Sequence, residues 1–239
     1  MPATSSSGRS RDTGGGSAAR RGPRRSLTRE RVVDEAIAIV ESDGLAALSM
    51  RSLAERLGVA PGTLYTYVPN RTALETLILD AVAAGDALPH RLPGPWWLRL
   101  EAWARQDLVT FRERPWVLEL RRSTPGVGPA LIAWLDSALR AFDGTGLPEQ
   151  VKLDMIEALD AYVCGAAAND AQAHGGERLP DMELFPETGR AYADAHALRR
   201  AAGEGALTAH QGQFEFGLRC LIAGFRAVAE EYGEAGGTP

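Results

Sequence analysis

A chain of 239 residues with 45% hydrophobic and 24% charged side chains has enough apolar surface for a core in one or two domains, which excludes a wholly disordered polymer. No apolar run approaches the roughly 20 residues of a membrane helix, and the two cysteines, Cys164 and Cys220, are too few for a disulfide scaffold and too far apart for a zinc or redox motif. The net charge of −5 is divided unevenly: residues 1–31 carry eight Arg against Asp12 and Glu30, leaving the rest strongly acidic, an asymmetry expected when one end of a chain meets a polyanion.

Residues 1–26 are rich in Ser, Gly and Arg and cannot bury a core, so the reading there is a disordered basic arm. The arginines have no apolar segment behind them, which points to a cytoplasmic protein with no membrane partner. From Thr28 onward Val32, Val33, Ala36, Ile37 and Val40 recur at helical spacing, with Thr28 as cap and Gly44 as stop. A second helix is expected from Met50 to Leu57, capped by Ser49 and stopped at Gly58, and a third from Pro61 to about Tyr67. Asn70 then caps a fourth, carrying Leu74, Leu77, Ile78 and Val82 to about Ala87.

Beyond Pro89 the composition changes, with Trp96, Trp97, Trp103 and Trp116 in quick succession and Trp134 after them. Helices are expected at about 95–112, 128–142, 149–173, 187–200 and 210–231, separated by Pro and Gly clusters. No alternating run of β-branched residues calls for a strand, so the expected class is all-α. The expected division is an arm at 1–26, a first domain at 27–88, a second at 89–233 and a flexible tail at 234–239.

Met50 to Leu57 and Pro61 to Tyr67, joined through Gly58, have the proportions of a helix-turn-helix. Ala54 is small enough for the two helices to cross closely, and Leu53, Leu57, Val59 and Leu64 supply the inner face. Thr63, Tyr65, Thr66 and Tyr67 remain on the outer face, offering hydroxyls and phenols suited to phosphates, base edges and thymine methyls. An ordinary helical hairpin is the competing reading of these residues alone.

From Thr28 to Leu79, and most tellingly in the string LAERLGVAPGTLYTYVPNRTAL, the sequence resembles the DNA-binding domain of the TetR family of transcriptional regulators. The resemblance continues through Arg114-Pro115-Trp116, the Gly128-Pro129 helix start and Phe214 to Leu218, which look like the ligand-binding domain of the tetracycline-repressor type. It implies an N-terminal three-helix DNA-binding domain joined by a fourth helix to a larger helical domain for ligand binding and dimerisation. It also implies a homodimeric, ligand-responsive regulator, in the repressor sense, bound to a palindromic double-stranded DNA operator and released by a small organic effector. On this resemblance Thr63, Tyr65, Thr66 and Tyr67 lie in or beside the major groove, Arg51 reaches a base or phosphate, and Ser49 and Arg71 contact the backbone. Thr66 stands where the tetracycline repressor has Trp, and Pro61-Gly62 where some relatives have base-reading side chains, so an operator sequence does not carry over. The helices at 149–173 and 210–231 correspond to the family's four-helix dimer interface, against the alternative of burial within one subunit.

Arg24 and Arg25, in the cluster ahead of the first helix, are expected to follow the DNA backbone or enter the minor groove. Trp103, Gln106, Asp107, Phe111, Trp116 and Trp134 are the expected effector contacts, since aromatic walls with a few polar groups suit a flat organic ligand; a simple core is the alternative for each aromatic residue, and a solvent-facing position the alternative for Gln106 and Asp107. No catalytic motif is found: the four histidines lack HExxH spacing, Asp170 and His174 alone are a weak metal pair, and no GxSxG or phosphate-binding glycine loop follows a strand. No catalytic residue, metal or cofactor is therefore expected. A constitutive DNA-binding architectural protein and a helical enzyme are the alternatives from other classes.

Overall fold

The computed structural model describes residues 27–172, 186–205 and 212–235, and among these every regular element is helical. The first helix, α1 (Arg29–Asp43), begins where Thr28 Oγ1 accepts from the Arg31 N–H at 3.2 Å and ends where Gly44 adopts φ +84°. Helix α2 (Met50–Leu57) has a reciprocal cap: Ser49 Oγ accepts from the Ser52 N–H at 3.0 Å while the Ser49 N–H donates to Ser52 Oγ at 2.9 Å. Such a cap is worth about 1 kcal/mol, a large share of what an eight-residue helix needs to hold its start. Gly58 closes α2 at φ +67°, a conformation that a side chain would strain.

Helix α3 (Pro61–Leu64) is shorter than the sequence suggests. After Leu64 the chain tightens: the Thr66 and Tyr67 N–H groups donate three residues back, to Thr63 and Leu64, so Tyr65 to Tyr67 form a turn rather than more α-helix. Asn70 Oδ1 accepts from the Ala73 N–H at 2.8 Å to start α4 (Arg71–Ala84), which ends three residues before the expected Ala87. Val32, Ala36, Val40, Leu48, Leu53, Ala54, Leu64, Val68, Leu74 and Ile78 are buried together as the core of this first unit.

The second unit contains α5 (Trp96–Glu113), α6 (Trp116–Ser123), α7 (Pro129–Arg140), α8 (Glu149–Gln172), α9 (Pro186–Asp194), α10 (His196–Gly203) and α11 (Gln213–Ala235). Its core is built from Leu100, Trp103, Leu108, Phe111, Phe142, Ile156, Leu159, Val163, Leu218, Ile222 and Phe225. Three differences from the sequence reading stand out. Helix α6 has no counterpart there; it is one short amphipathic segment whose Val117, Leu118 and Leu120 are buried while arginines fill its outer side. The helix expected at 187–200 is divided at Ala195. Helix α11 runs on to Ala235, past the expected end at 231 and into the expected tail.

The arm at 1–26, with Arg24 and Arg25, lies outside the described residues, as do residues 173 and 210–211 at the expected helix ends. The two cores meet through Leu120 of α6, which is buried in the first, and through Leu79 and Trp116, which pack against both. Helices α4 and α6 thus both share apolar surface with the two units and link them mechanically.

Candidate nucleic-acid interface and the helical interior

On α3 and the turn after it, Leu64 and Val68 point inward and are fully buried, which turns Thr63, Tyr65 and Thr66 to the solvent. Tyr65 is 51% exposed, so its ring and hydroxyl are open to a partner. Tyr67 differs: it is half-buried and packs against the first core, so its ring supports the turn rather than standing free. Arg51 is almost fully exposed at the start of α2, its Nε 3.0 Å from Glu55 Oε1. That ion pair is too solvated to fix the side chain.

Two other expected contact residues have structural partners of their own. The Ser49 hydroxyl serves the α2 cap. Arg71 donates through Nε to Glu75 Oε1 at 2.7 Å and through Nη1 to the Leu48 carbonyl at 2.8 Å, fastening α4 to the segment ahead of α2. Glu75 is buried and its other oxygen accepts from Thr124 Oγ1 at 3.4 Å, so the chain of contacts continues to the end of α6. Sequence reasoning missed Glu75; its i+4 spacing from Arg71 was the available signal.

The expected effector residues are gathered along α5 and its neighbours. Trp103, Asp107 and Phe111 are buried, while Gln106, Trp116 and Trp134 are partly so. Trp103 donates its indole N–H to Asp107 Oδ2 at 2.8 Å and meets Trp134 edge-on, the ring centroids 4.9 Å apart. Burial pushes the Asp107 carboxyl up to about 7, against the Trp103 bond that favours the charged form; Asp86 and Asp160 add to the rise. Asp86 is itself raised by burial, opposed by a hydrogen bond from Gln106. Arg121 grips Asp160 with one nitrogen at 2.9 and 3.0 Å from the two carboxylate oxygens, and its guanidinium carbon lies 5.4 Å from the centre of the Phe111 ring. Trp103 and Phe111 thus belong to the second core, Trp116 and Trp134 pack against it, and contacts join Trp103 to Asp107 and Trp134.

A cavity of about 460 Å³ opens elsewhere, between the start of α5, the end of α7 and the later half of α11; none of those six residues lines it. Trp96, Trp97, Arg99 and Arg226 do. Among the described residues no group of three or more His, Cys, Asp or Glu is placed to hold a metal ion, and no helix is long and apolar enough to cross a membrane. His174, half of the weak metal pair, lies outside the described residues.

Comparison with known proteins agrees with this arrangement. Residues 32–74 match the family of bacterial regulatory proteins, tetR family, and residues 88–229 match the tetracyclin repressor-like C-terminal domain. The HTH-type transcriptional repressor DrrR1 of Streptomyces coeruleorubidus is 33% identical over 225 residues, spanning 90% of this chain and 83% of that protein. Apo ActR from Streptomyces coelicolor superposes with a TM-score of 0.68 at 26% identity, covering 86% of this chain and 97% of its own. ActR in complex with actinorhodin gives the same TM-score at 25% identity, covering 85% and 99%.

Proposed function

The chain belongs to the TetR family of transcriptional regulators, and from that premise we propose that it is a repressor that binds a palindromic operator as a homodimer and leaves it when a small organic effector binds. The observation that carries this reading is the solvent-facing surface of Thr63, Tyr65 and Thr66, held on a helix-turn-helix whose opposite side is fully buried. Such a surface has little structural purpose of its own, and its hydroxyls match the groups a major groove offers. Arg51 stands beside it, Arg71 meets the DNA backbone with the guanidinium donors its internal bonds leave over, and Ser49 does so by exchanging its hydroxyl bond to Ser52 for one to a phosphate. The basic arm, through Arg24 and Arg25, adds contacts insensitive to sequence. The working division of the chain is the arm to residue 26, the reading head to residue 88 and the effector domain beyond it, and the protein acts in the cytoplasm, where the DNA is.

Dimerisation fits the outer face of α11, where Phe216, Cys220, Ala223 and Ala227 recur every three or four residues and are all exposed, an apolar stripe that needs a partner. On α8 the exposed Ala158, Ala161 and Gly165 allow a second helix to approach closely. A two-fold pair doubles the few base contacts a single short α3 can make.

The effector enters the interior around Trp103, Gln106, Asp107, Phe111, Trp116 and Trp134. Related proteins carry names and structures of this kind: DrrR1 is called a transcriptional repressor, and ActR has been crystallised with actinorhodin. The test is a fluorescence-anisotropy titration of a bound operator duplex with a panel of aromatic compounds. Release of DNA by a compound that also quenches tryptophan emission supports the sensor reading; DNA binding unmoved by every compound favours a constitutive architectural protein instead.

A further inference from the structure

The cavity between α5, α7 and α11 lies at the end of the effector domain away from the reading head. Helix α5 meets the head at its other end, where Arg114 Nε is 3.1 Å from Glu41 Oε1 of α1; at 1.5 Å per residue, Trp97 stands about 25 Å back along the helix from Arg114. The space, about 460 Å³, is a groove open to solvent, with room for a small aromatic molecule against its wall.

One wall is aromatic, formed by Trp96 and Trp97, and the lining carries two arginines, Arg99 and Arg226, and two acids, Asp143 and Glu230. The Trp96 and Trp97 rings meet edge to face with centroids 5.7 Å apart, and Trp96 is backed by Phe142 at 5.3 Å. The Arg226 guanidinium lies over Trp97, its central carbon 4.8 Å from the ring centroid, and no carboxylate among the described residues pairs with it. Arg99 donates to two carbonyls, Leu92 O at 3.0 Å and Ala141 O at 3.4 Å, and likewise has no acidic partner among the described residues.

The two acids, Asp143 and Glu230, are exposed, as Arg226 is, but no hydrogen bond or ion pair among the described residues restrains their side chains, whereas Arg226 is held over Trp97. A guanidinium stacked on a ring or anchored to carbonyls is already held in place before a ligand arrives, so it binds an anion at low entropic cost. The Asp143 carboxylate, by contrast, can turn away into water, while Glu230 follows Ala227 on the face of α11 proposed for dimerisation.

We infer that this cavity is a second small-molecule site, separate from the interior around Trp103, and that it takes a flat aromatic carboxylate, with the ring against Trp96 and Trp97 and the carboxylate on Arg226. An occupant there joins the start of α5 and the end of α7 to α11.

The test uses the full chain and three pyrenes that share one ring system and differ in charge: 1-pyrenecarboxylate, 1-pyrenemethanol and 1-pyrenemethylammonium. Calorimetry and energy transfer from tryptophan to pyrene give affinity and stoichiometry at neutral pH. The carboxylate is expected to bind once per chain and about tenfold or more tighter than the other two, the weight of one charge-assisted pair. Arg226→Gln should bring it down to the affinity of the alcohol, while Arg122→Gln, an exposed arginine on α6 away from the cavity, should leave it unchanged. Circular dichroism checks that both variants stay folded. Equal affinity for all three probes, a preference for the ammonium, no binding at all, or an Arg226→Gln chain that binds the carboxylate undiminished would each overturn the inference.

Discussion

Asp80, two-thirds of the way along α4, caps the start of α7: its Oδ1 accepts from the Ala130 N–H at 2.7 Å and from the Leu131 N–H at 3.2 Å. The chain ahead of α7 is glycine because this approach is so close. A Cβ on Gly128 would collide with the Asp80 carboxylate, and one on Gly126 with Thr76. Together with Glu75 and Thr124, these residues tie the helix that carries the reading head to two elements of the effector domain. A ligand that shifts α6 or α7 therefore pulls on α4 directly, and differential binding of about 1–3 kcal/mol between the two states is enough for a switch.

Asp80→Ala should cost about 1–2 kcal/mol of stability, the usual worth of such a cap, seen as a melting temperature lowered by a few degrees. Its sharper effect should be on coupling: operator binding persists, but the factor by which effector weakens it shrinks toward one. Anisotropy titrations with and without effector measure that factor.

Tyr65→Ala should weaken operator binding by about 1–3 kcal/mol if the phenol reads a base. Because Tyr65 is 51% exposed, the melting temperature should hardly move. Unaltered affinity in the folded variant would mean that the groove is read by other residues.

The pH dependence of stability should show Asp107. Its carboxyl is raised from about 4 to about 7 by burial, so the folded state holds a proton that the unfolded state has released. Stability therefore falls as pH rises through the window from about 4 to 7 and levels off above it. Asp107→Asn keeps the shape and an acceptor for Trp103 without the charge. It should be more stable than the parent at pH 8, by at most about 4 kcal/mol, and the advantage should vanish near pH 4; denaturant melts at both pH values check this.

Removing residues 1–26 should flatten the dependence of log affinity on log salt, by about one unit for every phosphate that the arm neutralises. It should weaken binding to all duplexes alike. An unchanged slope would leave the arm without a role on DNA.

The parts of the fold that are legible in the sequence are those fixed by local chemistry. Thr28, Ser49, Gly58 and Asn70 mark helix boundaries because each cap is satisfied by a backbone group within a few residues. The end of α3 is not legible, since whether Tyr65 to Tyr67 coil on or tighten depends on Tyr67 resting against the first core. Likewise Asp107 reads as a group waiting for a ligand, although at i+4 it bonds the Trp103 indole. The cavity at Trp96 and Trp97 could not be foreseen: its decisive cation, Arg226, comes from a helix far along the chain, and only tertiary packing brings the two together. The helix-turn-helix surface needs no such distant partner, which is why the sequence places Thr63, Tyr65 and Thr66 on the outside.

The most direct measurement of the central claim is selection of bound duplexes from a random DNA pool by the full chain, followed by sedimentation of the complex on the winning sequence. A dimeric reader of DNA predicts an inverted repeat whose half-sites are centred a whole number of helical turns apart, about 10 base pairs each, with an even number of chains per duplex and loss of binding in Tyr65→Ala. A pool with no enriched sequence, or a lone asymmetric site held at full affinity by one chain, would contradict it.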